Sequence, residues 1–423
     1  MQLRYGDTSV ECTIPEGRVR AVIRTTLPPQ PLSPSGLIAE TLSRLAATFD
    51  TFSPGDRVVI VTSDVTRYTG SELYLPLLVA ELNRRGIADR EITILIALGI
   101  HRKQTEAEHR KIAGPLYGRI RIVDHDCDDP GRLVSLGTTG NGIDVVVNRL
   151  AVEADRLILT GAIGFHYFAG FSGGRKALLP GIGGRQSCLA SHFAVLNPEP
   201  GTGRHPKATI GVLDGNPVSE ALADACAMVN PDLILNTVLA PDKRIIALFA
   251  GPWDEAHREG CRFYAEHFSF KLKERADLVV ASCGGEPKDI NLIQAHKAME
   301  YAGRALKEGG VMVLLARCRD GYGNPTFFSW FRHRELPEFE AALRARYEIN
   351  GQTAYALLDK AKRFRIILVS SLPPDEVRTM SMTPAATLDE ALAAAEQMLP
   401  TEYSAYVIPE AGTVLPVYIG KTN

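Results

Sequence analysis

Short apolar runs alternate with longer stretches of helical periodicity along this chain, and no other feature narrows the possible folds as much. Runs such as VVIVT, TILIAL, LILT and LVVAS read as strands, expected at 57–61, 91–97, 156–160, 232–238, 278–281, 311–315 and 365–369. Between them, 71–84, 254–268, 291–307 and 388–399 read as helices. Strand and helix in regular alternation imply crossover connections, hence α/β architecture with largely parallel sheets.

Local signals sharpen the reading. Thr387-Leu388-Asp389-Glu390 has the spacing of a capping box, and Asn216-Pro217 reads as an N-cap followed by proline at the first helical position. The segment 317–337 is rich in aromatics, glycine and charge without a period, and is assigned as a long loop or lid. At 423 residues the chain is long enough for two to three domains. A strand–helix–strand unit starting near Asp277 begins a second α/β domain, with 254–268 as the connecting helix. The expected division is 1–270, 271–403, and a tail 404–423 returning to the first domain.

Composition excludes several classes of function. Hydrophobic residues make up 45% and charged residues 23%, the balance of a globular protein with a sizeable core. With 47 Lys+Arg against 49 Asp+Glu there is no electrostatic footprint for nucleic acid or an anionic membrane, and neither is expected as a partner. The longest uncharged stretch, 157–174, holds five glycines and a histidine and makes a poor membrane span. The start, MQLRYGDTSVE, lacks a basic region followed by an apolar run, so no signal peptide is expected. Seven cysteines (12, 127, 188, 226, 261, 283, 318) are scattered and never spaced as CxxC. That argues against a disulfide framework or a thiolate zinc site, and fits a reducing cytoplasm.

Four strand ends run directly into polar or glycine-rich segments: SDVTRYTGS, GIHRKQT, GAIGFHYFAGFSGGRKALLPGIGG and CGGEPKDINLIQAHK. Parallel sheets bind ligands beyond the carboxyl ends of their strands, so the four suggest one composite site. In the first, Asp64, Thr66 and Arg67 precede Thr69-Gly70-Ser71 at a helix start, a setting suited to a phosphate or carboxylate; a local Asp64–Arg67 ion pair with Ser71 as a plain cap is the bland alternative. His101 follows its strand across a glycine turn. The segment 164–184 has seven glycines in 21 residues and carries His166, Phe168, Ser172, Arg175 and Lys176. It is no P-loop, because the arginine intrudes and the magnesium-binding Ser/Thr is missing, and it has no GxGxxG. A lysine in such a segment is either a nucleophilic anchor or a phosphate contact.

His192 has no second ligand at metal spacing beside it, so a metal there would take its other donors from elsewhere, for instance from a bound cofactor. Gln294 and Lys297 share a helical face near Asp289 and Asn291, where a lysine and an amide together could bind a carboxylate; a solvated face is the common meaning of such a pair.

Taken in order, Asp64-Val65-Thr66-Arg67, Gly99-Ile100-His101-Arg102, HYFAGFSGGRKALLPGIGG, Ser191-His192 and Gln294-Ala295-His296-Lys297 resemble the nickel-pincer nucleotide-dependent lactate racemases and their relatives acting on other α-hydroxy acids. The glycine-rich run is the specific part of the match. The resemblance implies two α/β domains, the first binding cofactor, with the active site in the interdomain cleft. It implies a pyridinium-3-thioamide-5-thiocarboxylic acid mononucleotide whose two sulfurs and ring carbon hold nickel. Lys176 would form the thioamide tether and His192 the fourth nickel ligand, a donor set suited to square-planar nickel. His101 and His166 would be the paired acid/base groups, Phe168 would pack on the cofactor ring, and Asp64 and Thr66 would line its site. Arg67, Gln294 and Lys297 would hold the small α-hydroxy acid, and cofactor-synthesis proteins would be partners. Racemisation would proceed by removing hydride while a histidine takes the hydroxyl proton, which avoids a poorly stabilised carbanion.

One departure stands out. Lactate-acting relatives place a tryptophan in the substrate pocket, whereas this chain has only Trp253 and Trp330, and the corresponding neighbourhood reads Gly351-Gln352-Thr353-Ala354-Tyr355. A roomier pocket is expected. Two other readings of the same residues are a Schiff-base lysine lyase or aldolase using Lys176, and a non-enzymatic nucleotide-binding module using the glycine-rich loop.

Overall fold

The computed structural model describes residues 1–29 and 32–420. The chain forms two compact units: Leu27–Pro198 with Arg204–Glu266, and Met1–Thr26 with Glu199–Gly203 and the chain from His267 onward.

The first unit is built on a six-stranded sheet in the order Ile245–Gly251, Leu233–Leu239, Arg156–Ile163, Val58–Ser63, Ile92–Ala97, Arg121–Asp124. Every pairing is parallel except that of the edge strand Ile245–Gly251. From Val58–Ser63 the chain steps outward through Ile92–Ala97 to Arg121–Asp124, then returns to the opposite side of Val58–Ser63 as Arg156–Ile163. The crossovers diverge at this pair, which opens a crevice beyond its carboxyl ends. The central strands are continuously apolar because helices cover both faces. Ile60, Ile94, Ile158 and Leu235 join Tyr74, Leu75, Leu78 and Leu82 of helix Ser71–Arg84 in one buried cluster. Each such side chain contributes about 1.5–3 kcal/mol on burial.

The second unit carries a six-stranded, fully parallel sheet in the order Thr383–Ala385, Arg365–Val369, Leu306–Leu315, Ala276–Ser282, Ala405–Ile408, Val19–Val22. A cut after residue 270 therefore does not describe the units. Backbone pairing commits Val19–Val22 to Ala405–Ile408, and Leu415–Tyr418 to Ser269–Leu272, so the first and last strands of the described chain both lie in this unit or pair within it. The excursion Glu199–Gly203 belongs here too, since the buried Glu340 carboxylate accepts the Gly201 and Gly203 N–H groups at 3.0 and 2.8 Å. The boundary near residue 266 falls inside Trp253–Phe268, the connecting helix.

Three local expectations need correction or refinement. The helix expected over 291–307 ends at Ala302, because a 3₁₀ turn, Gly303–Ala305, leads straight into the strand Leu306–Leu315. The segment 317–337 is irregular, with one 3₁₀ turn at Phe328–Arg332, but it is no lid. Phe327 and Phe331 are fully buried and Trp330 stacks on Phe339 at 5.5 Å, so these three aromatics are core, while Tyr322 and Phe328 are half-buried. Thr387 accepts the Glu390 N–H at 3.2 Å as an N-cap, while the return bond from Glu390 lands on the Ala386 N–H. Among the described residues, no helix is long and apolar enough to cross a membrane.

Candidate active site

The strand Val58–Ser63 ends at the switch point and hands the chain to Asp64, which is buried. One Asp64 oxygen accepts the Thr66 N–H at 2.8 Å and its hydroxyl at 2.6 Å, the geometry of an Asx turn. The other lies 2.5 Å from Nδ1 of His101, delivered from the neighbouring strand Ile92–Ala97 across Gly99. Burial alone would raise the Asp64 carboxyl; the hydrogen bonds from His101 and Thr66 outweigh it and hold the group below its usual range. Gln104 braces the turn, accepting the Val65 N–H at 3.1 Å while its own N–H is held by Asp124 at 2.9 Å.

The local Asp64–Arg67 ion pair, the bland alternative, does not form, since Asp64 is committed to His101 and Thr66. Nor do Thr69 and Ser71 offer hydroxyls to an anion. Ser71 donates to the Ile112 carbonyl at 2.8 Å and Thr69 lies 3.0 Å from the Tyr74 hydroxyl, both buried in the fold. Thr66 and Arg67 are exposed.

On the other side of the switch point, Arg156–Ile163 runs into a tight hairpin, Phe165–His166 paired with Gly170–Phe171. The hairpin folds Phe168 inward, 2% exposed, and Asn216 fixes it by donating to its carbonyl at 2.8 Å. The same Asn216 caps the helix Pro217–Val229 through Oδ1. Phe168 is the hub. His166 meets it edge-on at 4.5 Å, His192 at 5.4 Å, and the Lys176 amine lies 5.6 Å from its centroid.

Behind them the backbone leaves no room for side chains. Gly173 has φ +120°, and a Cβ there would come within 2.9 Å of both Asn236 and His257. Asn236 accepts the Gly174 N–H at 2.7 Å and the buried His257 donates to the Ser172 carbonyl at 3.0 Å, so these two side chains form the floor beneath the loop. Arg175 is buried in an ion pair with Asp254 and lies over Trp253 at 5.1 Å, a structural anchor that turns Lys176 the other way.

The protonation pattern follows from partners. Ala169 N–H donates to Nδ1 of His166 at 3.2 Å, which leaves the proton on Nε2, 3.1 Å from the Lys176 amine. That arrangement needs a neutral amine, and burial, with a smaller contribution from the Arg67 charge, lowers Lys176 to about 7. His192, on helix Arg185–Phe193, donates Nδ1–H to the Cys188 carbonyl at 2.8 Å, so Nε2 keeps its lone pair. Burial foremost, then the charges of Lys176, Arg67 and His101, lower His192 to about 4, so its imidazole is neutral near pH 7. These charges tie the His101 side of the crevice to the Lys176 side, as does the Gly99 N–H donated to the Gly181 carbonyl at 2.7 Å.

Eight of the ten residues singled out from sequence (Asp64, Thr66, Arg67, His101, His166, Phe168, Lys176 and His192) belong to this unit. Gln294 and Lys297 belong to the other, on helix Leu292–Ala302, with Lys297 donating to Gln294 at 2.7 Å. Sequence reasoning missed Gln104, Asn236 and His257 entirely and saw Asn216 only as a cap. None has a motif, because each acts through contacts made only after folding.

A doubly wound sheet with a lysine of lowered pKa, three histidines and a carboxylate gathered at its switch point, joined in one chain to a second parallel-sheet unit, defines a two-unit α/β enzyme. Comparison with known proteins says which one. The lactate racemase N-terminal domain matches residues 5–203 and the lactate racemase C-terminal domain residues 272–415. The chain belongs to the lactate racemase family, a family of isomerases. It is 32% identical to the lactate racemase of Thermoanaerobacterium thermosaccharolyticum over 98% of both chains, and 35% identical to that of Lactiplantibacillus plantarum over 79% of both. The solved lactate racemase apoprotein from Thermoanaerobacterium thermosaccharolyticum matches with a TM-score of 0.88 at 32% identity, covering 98% of this chain and 99% of that one. A Thermotoga maritima protein of solved structure, 21% identical with a TM-score of 0.65 over 93% of this chain, shares the fold.

Proposed function

We propose that this chain racemises lactate and related short aliphatic α-hydroxy acids, using a nickel-pincer nucleotide tethered to Lys176. The observation that carries the reading is the cluster of Lys176, His166 and His192 around Phe168. Its donor set fits the group. Lys176 offers an amine largely neutral above about pH 7, as a nucleophilic tether must be. His192 offers one imidazole nitrogen with its tautomer set by the Cys188 carbonyl. Among the described residues no set of three or more His, Cys, Asp or Glu side chains could hold a metal, which suits a metal whose other donors are the nucleotide's sulfurs and ring carbon. Phe168 supplies a flat apolar face and the glycine-rich backbone a close approach.

The bound nucleotide would supply reversible hydride-accepting chemistry at the substrate Cα. The chain's residues do the rest. Arg67, Gln294 and Lys297 bind the carboxylate and hydroxyl of the substrate and fix its orientation. His101 and His166 exchange the hydroxyl proton, one serving each enantiomer. With Lys176 held as a thioamide, its nitrogen would no longer be a basic acceptor, and the His166 Nε2–H would turn to the substrate. The extension beyond lactate rests on the sequence, which has no tryptophan at 351–355.

The test is to express the chain with the cofactor-synthesis proteins and nickel, measure intact mass and nickel content, and supply 2-deuterated lactate. The product of inverted configuration is expected to retain its deuterium in ordinary water. Extensive solvent hydrogen at Cα overturns hydride transfer, and no turnover of any short hydroxy acid by loaded protein overturns the substrate class. The lowered Lys176 amine also favours a second reading, a Schiff-base lysine lyase or aldolase. Borohydride trapping of a carbonyl substrate on metal-free protein would select it.

A further inference from the structure

We propose that Asp64 is the positioning residue for His101, holding its imidazole as the Nδ1–H tautomer so that Nε2 is the nitrogen that exchanges protons. The inference rests on the racemase reading for what His101 does, but its geometry stands independently. Asp64 is 3% exposed and spends both oxygens on its own chain: Oδ1 on the N–H and hydroxyl of Thr66, Oδ2 on Nδ1 of His101 at 2.5 Å. It is therefore an orienting carboxylate for His101, a role it would hold beside the cofactor-lining one that the resemblance implies.

The carboxylate is itself held in place. Thr66 closes the turn, and Gln104, on the same loop as His101, accepts the Val65 N–H. The Gln104 N–H is in turn fixed by Asp124, whose other oxygen pairs with His109 at 2.8 Å. The loop that carries His101 and the turn that carries Asp64 are cross-braced, so the carboxylate stays facing Nδ1 and turning the ring away breaks that bond. Because Asp64 stays ionised, it accepts only, and an acceptor facing Nδ1 leaves the neutral ring no choice of tautomer. It also stabilises the imidazolium formed when Nε2 takes a proton, which is the role of a carboxylate behind an acid/base histidine.

The experiment uses full-length chain without added cofactor or nickel, labelled with ¹⁵N-histidine. Two-bond ¹H–¹⁵N correlations report the tautomer of His101, assigned by its loss in His101→Gln, at a pH where the ring is neutral. The wild type is expected to show Nδ1–H. Asp64→Asn, whose amide can turn its N–H₂ toward Nδ1, is expected to show Nε2–H, while Thr66→Val leaves the wild-type pattern. In loaded enzyme Asp64→Asn should lower kcat about 10²–10⁴-fold with KM within a few-fold, because the wrong nitrogen then carries the proton. A wild-type His101 protonated on Nε2, or a tautomer unchanged by Asp64→Asn, overturns the proposal even if that variant is inactive. Should Asp64→Asn fail to fold, the wild-type spectrum alone decides. Failure of the racemase reading would appear instead as absent turnover in loaded wild type, with the tautomer intact.

Discussion

At the scale of single residues, Lys176 and His192 carry separable jobs although both sit against Phe168. Lys176→Ala is expected to abolish the covalent adduct, whereas His192→Ala should keep the organic adduct and lose nickel. Intact mass with elemental analysis reads both, and full adduct mass on the alanine variant at 176 would sink the tether. His101→Ala and His166→Ala should each cut turnover about 10²–10⁴-fold with the cofactor still attached. Near-normal racemisation by either loaded variant removes that histidine from the chemistry. These four residues were all legible in the sequence, since each sits in or beside a glycine-rich or strand-end motif. The pairing of Asp64 with His101 was not, because 37 positions separate them and only the parallel pairing of Val58–Ser63 with Ile92–Ala97 brings their strand ends together.

At the scale of elements, the glycine-rich loop rests on helix Trp253–Phe268 through His257, which is buried and neutral. Burial foremost, with the Arg175 charge, lowers His257 to about 3. The unfolded chain takes a proton on this ring near its ordinary value of 6.5, and the folded chain resists until about 3. The unfolded state thus binds more protons across that window, and stability falls as pH falls through it. His192, lowered to about 4, acts in the same direction. Urea titrations from pH 7 to pH 4 should show this loss in wild type and a shallower loss in His257→Gln, which keeps a donor for the Ser172 carbonyl. An identical pH slope in the two proteins would mean that His257 does not stay neutral in the fold.

At the scale of the whole molecule, the residues proposed to hold the cofactor all belong to one unit, while Gln294 and Lys297 belong to the other. Cofactor loading and carboxylate binding should therefore come apart on mutation. Lys297→Ala is expected to take up the full adduct and nickel yet bind lactate more weakly. Its KM should rise about 10–100-fold, the size of a lost charged hydrogen bond of about 1.5–3 kcal/mol. Steady-state kinetics beside intact mass check this, and an unchanged KM would remove Lys297 from substrate binding.

Local sequence alone determined the elements and the chemistry-bearing segments. Apolar runs marked the strands, cap signals at Asn216 and Thr387 marked helix starts, and the glycine-rich run with His166, Lys176 and His192 marked the reactive loop. These depend on neighbours in the chain, so periodicity and motif spacing expose them. Tertiary structure alone decided the rest. Val19–Val22 pairs with Ala405–Ile408 across almost the whole length of the chain, and that pairing moves the first residues into the second unit. Asn216 turns from a cap into the support of Phe168, and the hydroxyls of Thr69 and Ser71 turn from anion ligands into internal hydrogen bonds. Phe327, Trp330 and Phe331 turn from lid residues into core. The physical reason is common to all of them. Burial and hydrogen-bond satisfaction are settled by what lies opposite in space, and a buried polar group takes whichever partner the folded chain brings within reach.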